Sequence, residues 1–420
     1  MRKTKIELLL IFCLFFLWAI SSNLLPTMIR QLMKTCELNT FEASFTETAY
    51  WLAYFICPIP IAMFMRRYSY KAGIITGLLI AACGGLLFFP AAEVKSFGVY
   101  LCIFFVIATG MCFLETAANP YVAVLGSPKT APRRLNMAQS FNGLGAFIAA
   151  MFLSKLVLSG QNYSRETLPG DYPGGWEGYI QVETDSMKTP YLVLALVLVA
   201  VAVVLILVKL PRVGDEEVEQ GVRQKKLIDF TTLKKPHHLW GVIAQFFYNG
   251  GQTAINSLFL VYCTIYAGIS EESATTFFGL YMLTFLVGRW IGTLIMNKVE
   301  PTKMLTIYSI ANVALCVVIA CFGGYVGLYA MLGVSFFMSI IYPTQFSLAL
   351  HDLGDQTKSG SAFLVMAIVG NACLPQLTAY IMHNNAASYQ IAYIVPMICF
   401  AVCAYYGFRY KSLVKKSEGM

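Results

Sequence analysis

The feature that most limits this chain is a succession of apolar stretches, each about as long as a bilayer is thick. A hydrocarbon core of about 30 Å takes roughly 20 residues of helix. Twelve such stretches can be marked out, over residues 6–29, 45–66, 71–92, 97–124, 136–159, 189–210, 238–266, 273–297, 302–322, 326–349, 359–382 and 388–410. The residues are 58% hydrophobic and only 12% charged, with a mean hydropathy of +0.65, outside the range of an ordinary water-soluble domain. Aromatics at 14% and 32 glycines suit rings at the membrane interface and helices packed closely through small residues. The expected fold is an all-α membrane protein of twelve transmembrane helices. The first stretch has the basic start of a signal peptide, but no small-residue cleavage site follows it and eleven more spans do, so it reads as the first membrane helix.

The basic residues set the expected orientation. With the N-terminus inside, 23 Lys and Arg fall on that side and six on the other (Arg30, Lys34, Lys95, Lys155, Arg165 and Lys188), while Arg289 lies within the eighth span. Positive charge concentrates in cytoplasmic loops, so both termini are expected there. The same bias explains the net charge of +8 and leaves no case for nucleic-acid binding. The longest polar stretch between two sets of six spans is 211–237, which reads as a mixed-charge cytoplasmic linker between an N-terminal half, 1–210, and a C-terminal half, 238–420. Two six-helix halves is the parallel-repeat plan of major facilitator transporters. The halves echo one another: NPYVAVL ends the fourth span and YPTQFSL the tenth. Residues 160–188, rich in Gly, Tyr and acids, are expected to form an extracellular loop. The twelve cysteines are scattered through apolar runs without a CxxC, as small core residues rather than a disulfide framework or metal site.

Charged residues at bilayer depth cost roughly 2.5–3.5 kcal/mol on insertion scales, so each asks for a reason. Glu115 is the sharpest case, well inside the fourth span. Desolvation penalises the charged form of a carboxyl, which makes such a group a candidate for gaining and losing a proton in each cycle of transport. The bland reading is a Glu held by a neighbouring donor. Gln139 and Asn142 are three apart in the fifth span, hence on one face, and that face is expected near Glu115. Amides both donate and accept, which suits a hydroxyl-rich ligand. Asn136 reads equally as a helix-start cap. In the seventh span Gln245, Asn249, Gln252 and Asn256 form a polar stripe, and the eleventh contributes Asn371 and Gln376. Such stripes either line a cavity or knit helices together. Arg289 is expected to snorkel toward cytoplasmic water or to form a structural salt bridge. Glu47 is expected at the solvated outer start of the second span.

Several stretches carry a family resemblance. FLETAANPYVAVLG, RRLNMAQSFNGLGA, FCLFFLWA, YFICPIPIAMFMRRYSYKAGIITG, AQFFYNGGQTA and FMSIIYPTQFSL resemble the corresponding parts of the fucose permease family of sugar and proton symporters, over residues 8 to 408. The pair LETAANP and RRLNxAQxFN is specific to that family. The resemblance implies a central cavity and alternating access by rocking of two halves. It implies that Glu115 serves sugar recognition and protonation and that Gln139 and Asn142 contact sugar. Asn119, Gln252, Asn256 and Asn371 complete the substrate-binding candidates. One departure stands out. The family's first span carries NNLND, with an Asp linked to proton coupling, whereas here SSNLLP keeps Asn23 and places Pro26 at the Asp position. Glu47, where the resemblance suggests a Gln, is a possible substitute carboxyl.

The expected function is import of a monosaccharide, fucose-like or another hexose, across a bacterial inner membrane by proton symport through Glu115. The rival readings are an uncoupled sugar facilitator, a symporter of a different sugar or amino sugar, and a non-transporting sugar sensor. No enzyme signature emerges, and no metal or cofactor is called for. The partners are a small-molecule sugar, protons and the lipid bilayer; a monomer is plausible. Hexoses differ in single hydroxyls, so spacing cannot name the sugar.

Overall fold

The computed structural model describes residues 2–23, 25–38, 40–149, 163, 165–208, 211 and 228–418, and among these it is almost wholly helical. The helices group into twelve spans. They are α1 (Arg2–Asn23), α2 (Thr40–Ile56 with Pro58–Arg67), α3 (Tyr70–Leu86 with Phe88–Val94), α4 (Phe97–Val124), α5 (Ala131–Ile148) and α6 (Gly175–Leu207). Then come α7 (Pro236–Val261), α8 (Glu271–Ile295), α9 (Pro301–Phe322), α10 (Gly324–Met338 with Ile341–Ala349), α11 (Thr357–Met366 with Gly370–Asn384) and α12 (Ile394–Glu418). Eight of the described spans are long and apolar enough to cross a bilayer outright. A ninth, α2, passes as a pair bent by 42° at Cys57–Pro58, where the proline ring cannot continue the backbone ladder. The stripe of Gln245, Asn249, Gln252 and Asn256 lowers the apolar character of α7.

Small residues let the spans touch. A Cβ on Gly370 of α11 would collide with the Phe246 carbonyl of α7, and one on Gly145 of α5 would collide with the Phe16 carbonyl of α1. Dispersion between closely packed helices is what holds a bundle together where lipid tails remove the hydrophobic drive for association. The central helices are therefore buried: α4 is inaccessible along nearly its whole second half, from Gly110 to Ala123. Outward faces of α6, α8 and α9 carry exposed Val, Leu and Ile, as a lipid-facing surface requires.

Four expectations are corrected. The first span does not run unbroken to residue 29: α1 ends at Asn23 and a second helix, Leu25–Thr35, follows. The loop expected over 160–188 is helical from Gly175, so α6 starts well before 189. The reason is local. Tyr179, Ile180, Glu183, Thr184 and Met187 recur at three- and four-residue steps and are buried. They meet the Leu25–Thr35 helix, where Gln31 donates to the Glu183 carbonyl at 2.9 Å and Lys34 stands 3.5 Å from the Glu183 carboxylate. The fifth span begins at Ala131 rather than 136, with Pro132 in its first turn, a position that suits a residue lacking an N–H. Asn136 is accordingly no cap: its amide donates to the Pro132 carbonyl at 2.8 Å and to Thr344 Oγ1 of α10 at 3.0 Å. The expected end of the fifth span, 150–159, most of the linker, 212–227, and the side chains of Asn23 and Pro26 lie outside the described residues.

Candidate functional site

A cavity of about 720 Å³ lies between the first six helices and the last six. Its walls carry Trp18 and Ser22 of α1, Glu47, Tyr50, Trp51 and Tyr54 of α2, and Glu115 of α4. Gln139 and Asn142 come from α5, Asn249, Gln252, Thr253 and Asn256 from α7, and Asn371 from α11; α8 and α10 add Tyr281, Phe285, Arg289 and Tyr342. Six of the seven residues proposed for the site from sequence thus meet around one space. The seventh, Asn119, does not line it. It is fully buried behind Gln139, accepting from the Gln139 Nε2 at 3.0 Å, and so holds that amide in place.

Glu115 is 4% exposed, and its carboxylate accepts from the Tyr342 hydroxyl. The donor belongs to α10, so the bond joins the first six helices to the last six. Tyr54 also interacts with this carboxyl. The amides around it are partly committed and partly open. Asn142 donates to the Phe15 carbonyl at 3.3 Å, Asn371 Oδ1 accepts from Thr253 at 2.7 Å, and Asn256 Oδ1 accepts from Tyr281. The other side-chain polar atom of each makes no hydrogen bond among the described residues. Gln252 has no partner among the described residues. Asn249 lines the space as well, while Gln245 of the same stripe is buried away from it and Gln376 lies outside the lining. The stripe on α7 therefore divides: its outer members face the cavity and its inner member packs.

Glu47 sits in the second turn of α2, exposed as expected, and also lines the cavity. Arg289 overturns the expectation of snorkelling or a salt bridge. It is 4% exposed, and its Nε donates to the Ser339 carbonyl at 2.7 Å while a terminal nitrogen donates to the Gln139 carbonyl at 2.7 Å. Its guanidinium lies over the Phe285 ring at 4.4 Å. Phe285 and the two carbonyls replace water, so the side chain has no reason to reach for it.

Further contacts between the two sets of helices gather toward one end of the cavity. Toward the loops that follow α2, α4 and α10, Arg66 donates to Ser359 at 3.2 Å, Ser361 donates to the Thr116 carbonyl at 3.1 Å, and the Lys358 ammonium lies 4.8 Å from the Tyr70 ring centre. The remaining lining residues, Ser22, Glu47, Leu260 and Phe278, lead to the opposite end. Among the described residues, these contacts seal the end toward the loops that follow α2, α4 and α10.

Sequence reasoning missed the aromatic part of the site. Trp18, Tyr50, Trp51, Tyr54, Tyr281 and Tyr342 lie inside apolar stretches, where a ring facing a cavity and a ring facing a neighbouring helix look alike. The one available signal was Tyr342 in the YPTQFSL segment, which echoes the NPYVAVL that follows Glu115.

The helical bundle, with a polar cavity between two sets of six spans sealed at one end, is that of a membrane transporter. The family model described as Major Facilitator Superfamily matches residues 8–375. The chain is 37% identical over 406 residues to the L-fucose-proton symporter of Escherichia coli K12, covering 96% of this chain and 92% of that one. It is 33% identical over 396 residues to a glucose/galactose transporter of Brucella abortus, covering 94% and 91%. A crystal structure of the transporter FucP in the outward conformation superposes with a TM-score of 0.88 at 36% identity, over 96% of this chain and 98% of that one. The proton:xylose symporter XylE, at 12% identity and a TM-score of 0.70, shares the fold. The chain belongs to the fucose permease family of the major facilitator superfamily. It is a multi-pass membrane transporter and not an enzyme.

Proposed function

We propose that this chain carries a monosaccharide across the membrane by proton symport, exposing one cavity to each side in turn. The observation that carries the reading is Glu115, a carboxyl buried at bilayer depth on the wall of an amide-lined cavity and bonded by Tyr342 from the other set of helices. The relatives named as sugar-proton symporters and glucose/galactose transporters support the same substrate class. In this reading Gln139, Asn142, Gln252, Asn256 and Asn371 hydrogen-bond sugar hydroxyls, Trp18 and Trp51 offer apolar faces to the ring, and Asn119 orients Gln139. Protonation of Glu115 changes what Tyr342 and the sugar find there, which couples proton and sugar to the same rocking step.

The rocking bodies are the halves 1–210 and 238–420, joined by the linker 211–237. Both termini lie in the cytoplasm of a bacterial cell and the chain sits in its inner membrane, following the excess of Lys and Arg on one side. The sealed end is then cytoplasmic, and the structure corresponds to an outward-open state. The chain acts on the sugar and the proton as a monomer.

The test is uptake of labelled sugar by proteoliposomes. The unmodified protein should accumulate sugar when an inward proton gradient is imposed. Glu115→Gln should exchange sugar between compartments at equal concentration, because exchange moves no net proton, and should fail to accumulate it. An unmodified protein indifferent to the gradient is an uncoupled facilitator, with Pro26 as its mark. A Glu115→Gln variant stimulated like the unmodified one moves the proton site elsewhere, to Glu47 first.

A further inference from the structure

Arg289 is the one described cation on the cavity wall, and no carboxylate pairs with it among the described residues. Burying an unpaired guanidinium is costly unless its donors are well used. Two of them are. The Nε meets Ser339, which lies in the break of α10 between Met338 and Ile341, where the helix gives up a backbone bond and leaves a carbonyl to be satisfied. One terminal nitrogen meets the carbonyl of Gln139 in α5, and Gly143, one turn further on, presents no side chain to the guanidinium. The other terminal nitrogen makes no hydrogen bond among the described residues and remains for the cavity.

These three directions have different consequences. The bond to Ser339 joins α8 to α10, both in the second set of six, and survives any movement of one set against the other. The bond to Gln139 crosses between the sets, close to the sealed end, where Asn136 also bonds Thr344. Opening that end pulls α5 away from α8 and α10, so this bond has to break. The third nitrogen is placed to meet a sugar oxygen beside the Gln139 amide.

We infer that Arg289 is a positioning residue that ties cavity occupancy to the seal: it is anchored to α10, latches α5 through the Gln139 carbonyl, and offers its remaining nitrogen to the substrate. A charged donor shared between a carbonyl and a ligand oxygen weakens its hold on the carbonyl, so binding loosens the latch that must open next. The latch itself stands on the geometry, while its response to sugar rests on the transport reading above.

The experiment has two arms on the full chain in detergent, with Arg289→Met and Arg289→Lys. The first is hydrogen–deuterium exchange without sugar. Peptides from the sealed ends of α5, α10 and α11 should exchange at least tenfold faster in Arg289→Met and by an intermediate factor in Arg289→Lys, with α3 and α9 unchanged. The second is quenching of Trp fluorescence by L-fucose, D-galactose and D-glucose, where Arg289→Met should weaken the responsive sugar about tenfold. Sealed-end exchange that is unchanged in both variants overturns the latch, as does acceleration spread over every helix, which marks a general structural prop. If Arg289→Met cannot be purified, Arg289→Lys decides by the same criterion. If the unmodified protein answers to no monosaccharide, the transport reading fails while the exchange arm still judges the latch.

Discussion

Removing the Tyr342 hydroxyl isolates the bond that crosses the cavity to Glu115. Tyr342 is 8% exposed and Glu115 4%, and Tyr342→Phe leaves the carboxyl with Tyr54 but without the hydroxyl from the other set of helices. A buried hydrogen bond between neutral groups contributes about 0.5–1.5 kcal/mol, and one to a charged group about 1.5–3 kcal/mol. The penalty of Tyr342→Phe therefore depends on whether Glu115 is protonated, and it grows as pH rises through the titration of that carboxyl. With an unfolding entropy of about 2.1 cal/mol/K per residue, the 420 residues convert 1 kcal/mol into about 1 °C of Tm. Scanning fluorimetry across pH should show Tyr342→Phe melting about 1 °C below the unmodified protein in acid and about 2–3 °C below it in base. In a Glu115→Gln background the acceptor is neutral at every pH, so adding Tyr342→Phe should lower the melting temperature by a small and constant amount. A penalty that is independent of pH with Glu115 present, or that changes with pH equally in the Glu115→Gln background, would show that Tyr342 does not report on this carboxyl.

Two further outcomes follow from the geometry. Gln139→Ala and Asn142→Ala should each weaken sugar binding by about 1–3 kcal/mol, the cost of a buried partner left unpaired, without loss of expression; unchanged calorimetric affinity in both removes them from the site. On the exposed surface, Arg165 and Trp176 hold the Glu37 carboxyl below the usual carboxylate range by hydrogen bonding. Its stabilisation is present above the unfolded value and is lost as pH falls through the folded one. The pair is exposed, so Glu37→Gln should flatten the acid side of the melting profile by well under about 1 kcal/mol; a larger loss would mean that this contact organises the segment around Arg165 and Trp176.

The sequence by itself determined the number and kind of spans, because length and apolarity are all that a bilayer asks of a helix. It also determined where polarity breaks that rule, and Glu115, Gln139, Asn142, Gln252, Asn256 and Asn371 all reach one cavity for that reason: an amide or carboxyl inside a span has few places to go. What it could not decide were contacts between residues far apart in the chain. Glu115 and Tyr342 are separated by 227 positions and Arg289 and Gln139 by 150, and only the packing of one set of helices against the other brings them together. Arg289 shows the physical limit. From spacing alone a cation near a helix end belongs in water, whereas the tertiary structure supplies two carbonyls and an aromatic face that satisfy it in the interior. Asn119 shows the converse, a polar residue in the right span whose partner is another side chain, because the face it occupies is turned toward α5 rather than toward the cavity. The helix breaks at Pro58 and between Met338 and Ile341 have a local cause instead, a proline that withholds an N–H from the backbone ladder, Pro58 in the first and Pro343, four residues beyond Ser339, in the second.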